Sequence, residues 1–112
     1  MPLVTHVFPA HERYQNGKLV SHDEVPRRVN FNYDFSGNNV EIQIIPTMSA
    51  KRAYLTRQEG FILYYQGLDS DYRFVVECWP DNGTIKRFSV FRDDTGIEYR
   101  YLSDHQDRMF NP

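Results

Sequence analysis

From residue 28 to residue 35 the chain alternates with a period of two. Val29, Phe31, Tyr33 and Phe35 fall on one side, and Arg28, Asn30, Asn32 and Asp34 on the other. Successive side chains of a strand point to opposite faces, so this segment predicts a half-buried β-strand. Ser36-Gly37-Asn38-Asn39 follows, and its Gly and Asn residues accept the positive φ that a turn demands. Val40, Ile42 and Ile44 then resume the alternation until Pro46, which ends it. The pattern predicts a hairpin with Phe35 opposite Val40, Tyr33 opposite Ile42 and Phe31 opposite Ile44, all on one apolar face.

Residues 61–66, 72–79, 84–92 and 97–102 read as further strands. The connectors before the third and fourth, Pro80-Asp81-Asn82-Gly83 and Asp93-Asp94-Thr95-Gly96, both end in Gly. A left-handed residue closing a three-residue loop is the expected geometry. Pro80 then pairs with Thr84, and Asp93 with Ile97. This register places Val76 opposite Phe88, Phe74 opposite Val90 and Phe88 opposite Leu102 on one face, where Arg92 also meets Glu98. The other face pairs Glu77 with Arg87, Trp79 with Ile85 and Phe91 with Tyr99. Residues 47–59 are poor in apolar side chains and fit a short helix or a polar edge strand equally. The N-terminal part holds a short strand over 3–8, a turn at Asn16-Gly17 and a polar connector at 22–26. The tail after Leu102 is polar and expected to fray, with Met109 and Phe110 as its docking residues.

These elements predict one domain over residues 1–112. The expected fold is all-β, or a β-dominated α+β variant: a small antiparallel β-barrel or sandwich of about six to eight strands. It has a C-terminal three-stranded meander and at most one short helix. A chain of 112 residues is the length of a single core.

Charge narrows the partners. The formal net charge of −2 offers no general attraction to nucleic acid or to anionic membrane. One cysteine, Cys78, excludes an intrachain disulfide, and the N-terminus shows neither a basic stretch nor a long apolar run. The expectation is a cytoplasmic protein without a signal peptide.

Candidate chemistry is sparse. No Gly-rich phosphate loop, nucleophile elbow, Cys-x-x-Cys or His-Glu-x-x-His motif is present. The histidines, His6, His11, His22 and His105, lack metal-ligand spacing, and turn geometry accounts for the paired acids Asp69/Asp71 and Asp93/Asp94. Cys78 reads as a small core hydrophobe. No catalytic residue, metal ligand or cofactor is expected.

The aromatic content is the exception, with 8 Tyr, 8 Phe and 1 Trp. In the register above, one face of the meander already supplies a core, yet the opposite face also gathers rings and arginines. Arg73, Trp79, Arg87, Phe91, Tyr99 and Tyr101 are therefore the candidate binding residues. Interfaces are enriched in Tyr, Trp, Phe and Arg and depleted in Lys, and the chain has 10 Arg against 3 Lys. The leading expectation is a non-enzymatic interaction domain of accessory, adaptor or inhibitor type. Its partner is another protein or a second copy in a homodimer. The alternative is a small barrel enzyme or small-molecule-binding protein with an internal site, using inward polar residues such as Tyr33, Tyr72, Arg92, Glu98 and Arg100.

Overall fold

The computed structural model describes residues 3–34, 38–68, 71–81 and 84–103. Ten strands form a single antiparallel sheet: β1 (Leu3–Phe8), β2 (Ala10–Gln15), β3 (Lys18–Asp23), β4 (Arg27–Tyr33), β5 (Asn39–Ile45), β6 (Met48–Glu59), β7 (Ile62–Gly67), β8 (Tyr72–Cys78), β9 (Ile85–Arg92) and β10 (Ile97–Leu102). Their order is β1-β4-β5-β6-β7-β8-β9-β10-β2-β3. The fold is all-β as the alternation predicts, and no helix occurs among the described residues. Accordingly, no helix there is long and apolar enough to cross a membrane.

The sheet curls into a half-barrel, and its rings show the curl directly. Phe31 on β4 and Phe88 on β9 stand five places apart in the strand order, which would separate them by about 24 Å in a flat sheet. Their ring centroids are 5.1 Å apart, edge to face. Phe88 also stacks on Phe74 at 6.1 Å and on Phe8 of β1 at 6.2 Å. Phe8, Phe31, Phe74 and Phe88 are fully buried together with Val29 and Ile42. The curl turns one face of the sheet inward on itself, so the sheet supplies its own core. Pro9, which has no N–H for a ladder, separates β1 from β2. The chain before it pairs with β4 and the chain after it with β10, so one bent N-terminal segment joins both ends of the curl.

Of residues 47–59, Met48–Glu59 form a strand and not a helix, and Thr47 lies in the preceding turn. β6 lies between β5 and β7, where only an extended segment satisfies the backbone groups of both neighbours. Ala53 packs into the core, and Leu55 and Met48 flank it. The segment is thus an interior strand, not an edge. The N-terminal part adds two strands beyond the expected one. β2 and β3 form a hairpin across Asn16 (φ 50°) and Gly17 (φ 83°), the left-handed pair that a type I′ turn requires.

Three pairings depart from the expected register, two along their length and one at its end. In the first hairpin Tyr33 faces Val40 and Phe31 faces Ile42, two residues away from the expected pairing. Asp34 starts the loop early: its carboxylate accepts from Asn39 Nδ2 at 2.9 Å, and its N–H donates to the Asn39 carbonyl at 3.1 Å. A shift of two keeps every side chain on its face. Phe35 lies outside the described residues, as do Asp69, Asn82, Gly83 and the tail with His105, Met109 and Phe110. Between β9 and β10 the correction is one residue. Arg92, not Asp93, closes the loop opposite Ile97. The Asp93 N–H is taken by the Asp71 carbonyl at 3.2 Å, and the N–H groups of Thr95 and Gly96 both donate to the Arg92 carbonyl. Gly96 is left-handed (φ 71°), and a Cβ there would strike the Asn16 side chain. A one-residue slip moves every side chain of a strand to the other face.

The β8–β9 register is as expected from Phe74 opposite Val90 to Glu77 opposite Arg87. A bulge then sets Cys78, rather than Trp79, opposite Ile85. Lys86 is the surplus residue, and its ammonium lies 3.6 Å from Glu77 and 4.9 Å from the Trp79 ring.

Candidate functional site

The β10 correction divides the candidate residues. Tyr99 now lies opposite Val90, and Tyr101 opposite Phe88, so both face the interior. Tyr101 is buried against Phe88 and Phe8. Arg73, Arg87 and Phe91 stay on the outer face, and Trp79 stands past the end of β8. The six residues do not form one surface.

The outer rings are covered by cations of their own chain. The Arg73 guanidinium lies 4.9 Å from the Phe91 ring and holds Asp93 through two nitrogens at 2.8–3.0 Å. These bonds hold the Asp93 carboxyl below its ordinary 3.8. Arg100 covers Tyr14 at 3.9 Å and bonds Glu98 at 2.6 Å, and Arg57 covers Tyr64 at 4.2 Å. Arg87 lies 3.5 Å from Glu77. Glu98 and Arg100, expected inside, are therefore outer-face partners. Arg92 pairs with Asp94 at 3.0 Å instead of with Glu98. Trp79 borders a shallow groove with Phe61, Ile62 and Glu77.

On the outer edge of the same sheet His22 donates toward two acids, Glu12 at 2.9 Å and Glu24 at 2.5 Å. Those bonds raise its pKa above the ordinary 6.5. A raised histidine contributes stability that is fully present below 6.5 and is lost as the pH rises through the folded-state value. The ring is more than a third exposed, so the contribution is under about 1 kcal/mol. An NMR titration of the His22 ring is expected to show a midpoint above 6.5 that falls in Glu12→Gln. An unchanged midpoint in that variant would contradict the assignment.

The interior opens at one end into a cavity of about 250 Å³. Ile44, Met48, Val90 and Ile97 give it an apolar wall. Tyr72, Tyr99 and Tyr101 add ring faces and hydroxyls, and His11, Arg27, Thr47 and Arg92 bring polar groups to the same space. Thr47 comes from the turn between β5 and β6, and the others arrive by strand parity. Arg27 shares its face of β4 with Val29 and Phe31, and Arg92 shares its face of β9 with Val90. His11 lies opposite Tyr101 and stacks on its ring at 5.7 Å. The His11 Nδ1 lies 3.3 Å from the Val25 carbonyl, which can only accept, so that nitrogen carries the proton. Burial raises the Tyr101 hydroxyl to about 12, against smaller opposing effects of its hydrogen bond with Thr47 and of the Arg27 charge. It is a neutral phenol at ordinary pH. Arg92 lies 5.4 Å from the Tyr72 ring.

Tyr72 and Arg92, named as inward residues from the sequence, thus reach the cavity. Tyr33 is inward too, but it lies near Tyr65 and Cys78 instead, and burial raises the pKa of all three. The Cys78 thiol packs against the core. Sequence reasoning missed His11 and Arg27. Arg27 was legible, because it extends the parity of Val29, Phe31 and Tyr33. His11 was not, since β2 carries polar side chains on both faces. Among the described residues no three His, Cys, Asp or Glu side chains converge to hold a metal ion. Comparisons with protein-family models, curated proteins and solved structures return no match for this chain.

Proposed function

We propose that the chain is a small-molecule-binding protein whose ligand sits in the cavity at the open end of the half-barrel. The observation that carries this reading is convergence. Side chains from five strands, far apart in sequence, bring two guanidiniums, an imidazole and three phenols around one apolar-walled space. Ligand sites typically combine an apolar wall with a few placed polar groups, and the mouths of barrels are a preferred location. The volume corresponds to roughly eight waters of liquid, so the ligand is smaller than a typical drug. The outer face supports a partner less well. Two of its six candidate residues point inward, and its best-placed cations already serve Asp93, Glu77 and Glu98.

A second reading rests on one observation: Phe61, 52% exposed, lies beside Trp79 in the shallow groove, which would suit a protein partner. The two readings separate in a thermal-unfolding series with phenol, indole, benzoate and butyrate. A ligand that binds only the native state stabilises it by about 2.7 kcal/mol at one hundred times its Kd. At least one of these compounds is expected to raise the unfolding midpoint in a concentration-dependent way, and Trp79→Ala should respond equally. A flat series, or a response abolished in Trp79→Ala, would contradict an internal site.

A further inference from the structure

Resting on the internal-site reading, we infer that the ligand is a small organic carboxylate with a flat apolar body, held by Arg27 with help from Arg92. The lining of the cavity includes two arginines and a histidine but no Asp or Glu. That imbalance stands out in a chain of net charge −2. Several other guanidiniums of the sheet have acids of their own chain: Arg73 holds Asp93, Arg100 holds Glu98, and Arg57 lies 3.7 Å from Glu59. Arg27 differs. Its hydrogen bond goes to the backbone carbonyl of Pro26 at 3.2 Å, and no carboxylate among the described residues pairs with it. Arg92 pairs with Asp94 at 3.0 Å, both side chains 42% exposed, and His11 Nε2 lies 3.6 Å from Asp23, so Arg27 is the cavity cation without an acid among the described residues. Arg13, next to His11 on the inward face of β2 and opposite Tyr99, keeps a buried Nε with no acceptor among the described residues.

Arg27 is half-buried beside this space, and a ligand anion can take bidentate, charge-assisted hydrogen bonds from its guanidinium in place of the water it displaces. The hydroxyls of Tyr99 and Tyr101 can donate to the same anion. The remaining wall sets the rest of the molecule. Ile44, Met48, Val90 and Ile97 offer nothing to a polar body, and the Tyr72 and Tyr101 rings suit a flat one. Inorganic phosphate would need donors on all sides, and four of the eleven residues of this wall are aliphatic. The inferred ligand therefore has one carboxylate and a compact apolar body.

Calorimetric titration with benzoate, its neutral analogue benzamide, and inorganic phosphate tests this. Benzoate is expected to bind at least tenfold more tightly than benzamide. Arg27→Gln should weaken benzoate roughly 10- to 100-fold, the range of one charged hydrogen-bond pair, and leave benzamide unchanged. Arg28→Gln, on the opposite face of β4, should change neither. If Arg27→Gln does not fold, as judged by circular dichroism, Arg92→Gln replaces it with the same expectation in direction. Equal binding of benzoate and benzamide, or benzoate binding indifferent to both arginines, would overturn the carboxylate assignment and leave the internal site standing. Preference for phosphate over benzoate would overturn the apolar body. Absence of binding by any of the three would count against the internal site itself.

Discussion

Phe88→Ala is expected to remove about 3–5 kcal/mol of folding stability, the range for a fully buried aromatic truncated in a packed core. Phe88 is 0% exposed and touches the rings of Phe8, Phe31, Phe74 and Tyr101, so it joins β9 to strands at both ends of the curl. Truncation leaves a void that these rings can fill only by moving their strands. Domains of this class have about 5–15 kcal/mol in hand, so the variant should lose a large share of it. Its thermal midpoint should fall by roughly 12 °C or more. Phe91, three residues on and on the outer face, has the Arg73 guanidinium over its ring, and Phe91→Ala should cost only about 1 kcal/mol. Urea unfolding of both variants, with unchanged m-values, reads the difference. Comparable losses at the two positions would contradict a sheet curled around Phe88.

The second large effect separates adjacent residues. Tyr101→Ala is expected to cost about 3–5 kcal/mol, because the ring is 4% exposed and packs against Phe8 and Phe88. Arg100→Ala should cost under about 1 kcal/mol, because it removes a partly exposed pair with Glu98 and a ring contact with Tyr14. The opposite ranking would mean that β10 is displaced by one residue, with Asp93 facing Ile97. The same pair of variants therefore tests whether Tyr99 and Tyr101 line the interior, on which the cavity depends.

Much of the fold was legible because alternation is a property of the chain itself. Val29, Phe31 and Tyr33 had to share a face, and so did Phe74 and Val76. A hairpin register off by two residues, as at Tyr33 and Val40, leaves that assignment intact. The β9–β10 loop was a different problem. Three-residue and four-residue loops both suit Asp-Asp-Thr-Gly, and the choice is made by the distant Asp71 carbonyl, which takes the Asp93 N–H. No local pattern encodes that bond, and its consequence was to assign Tyr99 and Tyr101 to the wrong surface. β6 was ambiguous for a similar reason. Its two ladders, not its own side chains, make it a strand. The curl was hidden too, since nothing in Phe31 or Phe88 says that strands five places apart will meet.

The candidate site followed the same division. Tyr72 and Arg92 were recognisable as polar residues on an apolar face, and Arg27 satisfied the same criterion. His11 sits on a strand with polar side chains on both faces, and only its pairing with Tyr101 places it at the cavity. The surplus of rings over a plain core, noticed as a single surface, proves to be two populations. One is internal, with Tyr72, Tyr99 and Tyr101 at the cavity. The other is external and capped by Arg57, Arg73 and Arg100.

The most direct measurement follows two nuclei in one sample. The ε-methyl of Met48 reports on the cavity wall, and the indole N–H of Trp79, the single tryptophan, reports on the outer groove. In a titration with benzoate and phenol, the Met48 methyl is expected to shift saturably while the Trp79 indole stays fixed. A shift at Trp79 with Met48 unmoved would place binding on the outer surface and contradict an internal site.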